Sequence, residues 1–186
     1  MLRKDRNRNR GDVFLAIKSE IVCEEKLTFR KDCEITATWS KVKMDNCKTV
    51  HLASSYRPPN SSHDPLEQFS NSINCVFESS NHYPNIIMAG HFNLGDINWS
   101  ADVLFALNQA TSTQHNRLLR ITEDFSLTQH VKCLTRPTSG KALDLLFSSY
   151  PHVIYDVHAV PGMSDHVKAT SHSAENSFLQ LHKTLR

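Results

Sequence analysis

Asn85-Ile-Ile-Met-Ala-Gly-His-Phe-Asn-Leu-Gly-Asp-Ile-Asn-Trp99 is the stretch on which the reading of this chain turns. Ile86, Ile87 and Met88 make a short apolar run, Ala89-Gly90 follows, and the polar residues His91 and Asn93 flank Phe92. An apolar run of this length closed by glycine has the pattern of a buried strand. Layered α/β proteins place reacting groups at strand ends, and a glycine there lets a substrate approach the backbone. The stretch therefore predicts a central strand that runs into a site.

Working outward, residues 64–80 predict a helix. Leu66, Phe69, Ile73, Val76 and Phe77 fall at helical spacing, Asp64 is placed to cap, and Pro65 suits the first turn. With the strand after it, a strand, helix, strand unit is expected. Further upstream, residues 13–18, 34–42 and 49–56 read as three consecutive antiparallel strands, the last stopped by Pro58-Pro59. Downstream, Leu118, Ile121 and Phe125 suggest a second helix over 115–125. Residues 142–147 read as a uniformly apolar strand holding one carboxylate, Asp144, and residues 153–160 as a final strand. Residues 1–10, basic and without apolar periodicity, are expected as a solvated tail, and residues 168–186 as a tail or linker.

The 186 residues suit one domain, and 39% hydrophobic with 22% charged residues is ordinary for a globular protein. A net charge of +2, from 21 basic against 19 acidic residues, does not by itself point to nucleic acid. Cys23, Cys33, Cys47, Cys75 and Cys133 show no C-x-x-C spacing, so reduced packing thiols are expected rather than a zinc site or disulfides. No apolar run approaches membrane-spanning length, and the basic N-terminus lacks the apolar segment of a secretory signal. A nuclear or cytoplasmic protein without a membrane partner is the expectation. The sequons at Asn60 and Asn98 are then chance matches.

Polar groups stand at or near four strand ends: Tyr56, His91 with Asn93, Asp144, and Asp165 with His166. Singly, each has an ordinary reading. Asp165-His166 suits a turn or cap, Asn93 a turn, and Tyr56 a strand-end aromatic. Asp144 resists such a reading, because an unpaired carboxylate in an apolar strand is costly.

As a set they carry a resemblance. Gly90-His-Phe-Asn93 resembles the Gly-Asp-Phe-Asn signature of the endonuclease/exonuclease/phosphatase superfamily, with His91 in place of the aspartate. Tyr56-Arg-Pro-Pro-Asn60, Leu143-Asp144 and Ser164-Asp-His166 resemble its other motifs in the same order. Together with Thr135-Arg136-Pro137 and Pro161-Gly162, they are most similar to the endonuclease domain of non-LTR retrotransposons, over roughly residues 11–167. The resemblance implies part of a four-layered α/β sandwich with two mainly antiparallel sheets, acting on DNA with Mg²⁺ or Mn²⁺. It implies that Asn93 positions the attacking water and a phosphate oxygen, and that Tyr56 contacts the phosphate. Asp144 would orient His166, which would stabilise the phosphorane, and Asp165 would lie beside the metal.

Such chemistry needs a cation and fixed donors to offset charge building on the phosphoryl oxygens. Mg²⁺ favours oxygen ligands, and a histidine takes its protonation state from a partner carboxylate. Two departures from the family pattern bear on activity. The family's opening strands, with an Asn and a metal-binding Glu, have no counterpart before Gly11, so the domain is expected to be truncated. His91 stands where the family has the aspartate that activates or orients water, and imidazole suits zinc or manganese better than magnesium. An impaired endonuclease is the expected function. The alternatives are a non-catalytic remnant that binds nucleic acid or protein and, more weakly, a phosphomonoester-directed relative.

Overall fold

A computed structural model describes residues 2–4, 13–27, 36–43, 48–59, 65–100, 112–160 and 168–173. In order, these form β1 (Leu2–Lys4), β2 (Val13–Leu15), β3 (Cys23–Glu25), β4 (Thr36–Lys43), β5 (Thr49–Tyr56), α1 (Pro65–Glu78), β6 (Asn85–His91), α2 (Ser112–Asp124), β7 (Thr128–Gln129), β8 (Asp144–Ser148), β9 (Ile154–Val160) and β10 (Lys168–Ser173). The result is a mixed α/β fold. Its main sheet has six strands in the order β3-β4-β5-β6-β8-β7.

β6 lies inside that sheet, as its sequence predicts. It pairs in parallel with β5 and antiparallel with β8. The parallel pairing needs a crossover, and α1 supplies it. Pro65 opens α1, and Leu66, Phe69, Ile73 and Val76 put its apolar stripe into the core. That stripe meets Trp39 of β4, Ala53 of β5, Ile86 and Met88 of β6, and Phe147 of β8, together with Leu118 and Ile121 of α2. Strand alternation sends the intervening residues the other way. Leu52, Ile87, Ala89 and Leu146 form a second core with Leu15 of β2 and Ile154 of β9. Both faces of the central strands are thus buried, which explains why residues 86–89 read as an unbroken apolar run.

Three expectations are corrected. The strand at Val13–Leu15 packs against β4 but is not hydrogen-bonded to it: it pairs with β1, and β3 takes the place beside β4 in the sheet. Leu2–Lys4, within the expected basic tail, forms that partner strand. Lys168–Ser173, expected as tail or linker, pairs antiparallel with β9. All three have one cause. Backbone pairing satisfies N–H and C=O groups whatever the side-chain pattern, so short polar strands leave no periodic signal. The proposed cap Asp64 lies outside the described residues.

Gly90 has a packing requirement of its own. A Cβ added there would lie 2.0 Å from the Ser55 carbonyl oxygen, so the neighbouring strand passes close to its backbone. The obstacle is backbone and cannot rotate away. Gly90→Ala is expected to cost about 3 kcal/mol, at the upper end of overpacking penalties, as a lower urea midpoint. An unchanged midpoint would mean that β5 and β6 are not packed this closely.

Candidate active site

The pairing registers bring three of the predicted site residues together. Tyr56 is opposite His91 across β5 and β6, and His91 is opposite Asp144 across β6 and β8. All three share the face of the second core, at one end of the sheet, because their positions alternate with those of the α1-facing residues.

His91 is the centre of the cluster and is only 5% exposed. Its Nδ1 lies 2.8 Å from Asp144 Oδ1, and its Nε2 lies 2.8 Å from Asn93 Oδ1. The Tyr56 ring lies nearly parallel to the imidazole, at 14°, with centroids 5.8 Å apart. Asn93 donates from Nδ2 to the Arg57 carbonyl oxygen at 2.7 Å. A backbone carbonyl can only accept, which commits the Asn93 NH₂ group to Arg57 and turns its Oδ1 toward His91. His91 Nε2 must therefore donate, while Nδ1 faces a carboxylate oxygen. The imidazole therefore bridges the Asp144 carboxylate and the Asn93 carboxamide, with one ring nitrogen on each.

The surrounding chain holds this arrangement in place. Thr135, from the Thr-Arg-Pro stretch, is fully buried, and its Oγ1 accepts the backbone N–H groups of both Leu143 and Asp144 at 2.9 and 3.0 Å. Phe92, between the two polar site residues, donates its N–H to the Leu143 carbonyl at 2.9 Å, and its buried ring packs edge-on against Phe69 and Phe147. Asn93 has φ 52°, a left-handed conformation that asparagine tolerates better than most residues. Farther along this loop, Asp96 Oδ1 lies 3.0 Å from Lys141 Nζ, tying it to the segment that enters β8.

Tyr56, His91, Asn93 and Asp144 are thus gathered, whereas Asp165 and His166 lie outside the described residues. The carboxylate of Asp144, predicted to orient His166, contacts His91. Two contributors were not singled out from the sequence. Thr135 supports the start of β8, and Arg57 is 2% exposed, with Nη1 directed to the carbonyl oxygens of Pro58 at 3.2 Å and Phe92 at 3.4 Å. Both sit in stretches that carry the resemblance, so the signal for them was the motif rather than any local periodicity.

Among the described residues, no group of three His, Cys, Asp or Glu side chains is placed to hold a metal ion. The carboxylate at the strand ends, Asp144, faces an imidazole. Mg²⁺ favours several hard oxygen ligands, so the described donor set does not fit it. What the arrangement does by itself is join an acceptor carboxylate, an imidazole and a carboxamide into one hydrogen-bonded line.

The sheet with polar groups from three adjacent strands at one end is an α/β domain with a candidate site at its strand ends. The family model described as endonuclease-reverse transcriptase matches residues 50–170. The chain belongs to this family, within the endonuclease/exonuclease/phosphatase superfamily. Among solved structures it is similar to an endonuclease/exonuclease/phosphatase from Beutenbergia cavernae DSM 12333, with TM-score 0.45 and 13% identity over 72% of this chain and 37% of that one. It is also similar to the human Nocturnin catalytic domain with bound sulfate, with TM-score 0.45 and 11% identity over 81% of this chain and 59% of that one. A third is beta toxin from Staphylococcus aureus, with TM-score 0.42 and 11% identity over 74% of this chain and 56% of that one. The chain therefore spans between about a third and three fifths of these structures' lengths. No curated protein matches it in sequence. No helix among the described residues is long and apolar enough to cross a membrane.

Proposed function

We propose that this chain is an endonuclease domain of the retrotransposon type, built to hydrolyse a DNA phosphodiester and impaired by His91. The observation that carries the reading is the line Asp144, His91, Asn93 at the strand ends. In a working site of this kind, Asn93 presents its carboxamide to the attacking water and a phosphate oxygen, and Tyr56 contacts the phosphate. His166 would offset the charge that builds on the phosphoryl oxygens, and Asp165 would help hold a divalent cation, which would supply further charge stabilisation there. Here the imidazole of His91 engages the Asn93 oxygen and the Asp144 carboxylate, so the group that should face water faces a protein donor instead.

Supercoiled-plasmid nicking tests this with Mg²⁺ and with Mn²⁺. The natural chain is expected to cut feebly, with any activity greater in Mn²⁺, which accepts nitrogen ligands more readily. Vigorous cutting in Mg²⁺ by the natural chain would overturn the impairment.

The contact of His91 with Asp144 also supports a second reading, a domain that binds nucleic acid without cleaving it. His91 occupies the Asp144 carboxylate without a metal, which leaves the strand ends folded and free of catalytic demand. Binding of a DNA duplex that weakens steeply with salt, without cleavage, is the result expected on that reading. Absence of binding at low salt removes it.

A further inference from the structure

Arg57 is a buried cation next to the cluster, and none of the roles described so far uses it. Burying a guanidinium costs several kcal/mol unless its donors are satisfied, so its placement calls for an explanation. Three of its hydrogen bonds meet on one turn. The backbone N–H of Arg57 donates to the His91 carbonyl at 2.8 Å, and Nη1 donates to the Phe92 carbonyl at 3.4 Å. Its own carbonyl accepts the Asn93 NH₂ group at 2.7 Å. Three consecutive residues, His91, Phe92 and Asn93, are therefore each held by a different part of Arg57. Nη1 also reaches the Pro58 carbonyl at 3.2 Å, so the guanidinium ties the turn after β6 to the turn after β5.

We propose that Arg57 is a positioning residue: it clasps the His91–Asn93 turn so that Asn93 presents its carboxamide oxygen to the strand-end site and keeps its NH₂ group turned away. The inference rests on the reading of these strand ends as a hydrolytic site. It deepens that reading by assigning polarity. An asparagine free to rotate offers a donor or an acceptor in either direction. With NH₂ fixed on the Arg57 carbonyl, the group offered is an acceptor, suited to a donor: the His91 Nε2–H in this chain, a water in a site without the imidazole.

Arg57→Lys keeps the charge but puts a tetrahedral ammonium on a shorter side chain in place of the Nη1 that meets both carbonyls, and Arg57→Met keeps much of the apolar stem and removes the donors. The first readout is NMR of the Asn93 side-chain amide and the His91 ring nitrogens. In the natural chain, the two Asn93 amide protons are expected to be well separated and to exchange slowly. In both variants, these resonances are expected to shift or broaden while those of the distant His51 and His130 stay in place. The second readout is plasmid nicking in a His91→Asp background. There, Arg57→Lys is expected to lower kcat about tenfold with KM within about twofold, the scale of one hydrogen bond to a charged group. Unchanged Asn93 and His91 resonances in both variants would overturn the proposal. Should neither variant fold, a rapidly averaging Asn93 amide in the natural chain overturns it and a protected one supports it. Absence of cutting by the His91→Asp background counts against the hydrolytic reading, while the amide signature still decides the role of Arg57.

Discussion

His91→Asp is expected to nick supercoiled plasmid in Mg²⁺ about 100-fold faster than the natural chain, the scale on which one well-placed electrostatic group acts in hydrolysis. The structural reason lies in the 2.8 Å contacts from His91 to Asp144 and Asn93. An aspartate is shorter than histidine and carries no N–H, so the Asn93 oxygen is released and a second carboxylate stands across β6 and β8 from Asp144. Two carboxylates so placed repel one another, and a hard cation relieves the repulsion. The variant is therefore also expected to gain thermal stability on adding Mg²⁺, several degrees more than the natural chain does. Equal cutting by the two proteins would show that His91 is not the lesion. A stability gain without cutting would show that the cation site forms and that the deficit lies elsewhere in the chain.

Acid is expected to destabilise the fold well before the carboxylates titrate. Burial pushes the His51 imidazole down to about 4 from its ordinary 6.5, helped by the positive charges of Lys41 and Lys26. Burial, helped by Lys132, pushes His130 to about 4 as well. Both rings are neutral in the fold near neutral pH. As pH falls below 6.5, the unfolded chain takes up protons that the folded chain refuses, so stability present above 6.5 is lost progressively toward pH 4 and levels off below it. At about 1.4 kcal/mol per pH unit, His51 accounts for about 2 kcal/mol lost between pH 7 and 5. His130 is half-buried and screened by water, and accounts for about 1 kcal/mol more. Urea titrations at the two pH values measure the sum, and His51→Gln is expected to remove the larger share of the difference. An identical pH dependence in that variant would show that His51 is not the cause.

The sequence and the structure agree best where a residue's role is set by its own neighbourhood. The Asn85–His91 strand, the α1 helix and the Thr49–Tyr56 strand were legible because their apolar spacing reflects burial directly. Tyr56, His91, Asn93 and Asp144 were legible as polar groups at strand ends that also match motifs. The partnership of Asp144 was not. That it meets His91 follows from the register of β6 with β8, a property of tertiary topology that no local pattern encodes. Strands of two or three residues, such as β3 and β7, are too short to show alternation. Arg57 was hidden for a related reason: a charged residue after a strand and before two prolines reads as surface, and only packing makes it interior.

The same β6–β8 pairing has a consequence for how the protein is made. His91 and Asp144 are 53 residues apart in the chain, and Asp144 opens the last strand that β6 acquires. During vectorial synthesis, Tyr56, His91 and Asn93 leave the ribosome well before their carboxylate. β4, β5, α1 and β6 can associate through nearer contacts, but the cluster closes only when the longest of these loops does, and long-range closure is the slow part of folding. A nascent chain stalled before residue 144 would thus carry a folded-looking sheet whose central strand still has an open hydrogen-bonding edge, the state most exposed to pairing with another chain.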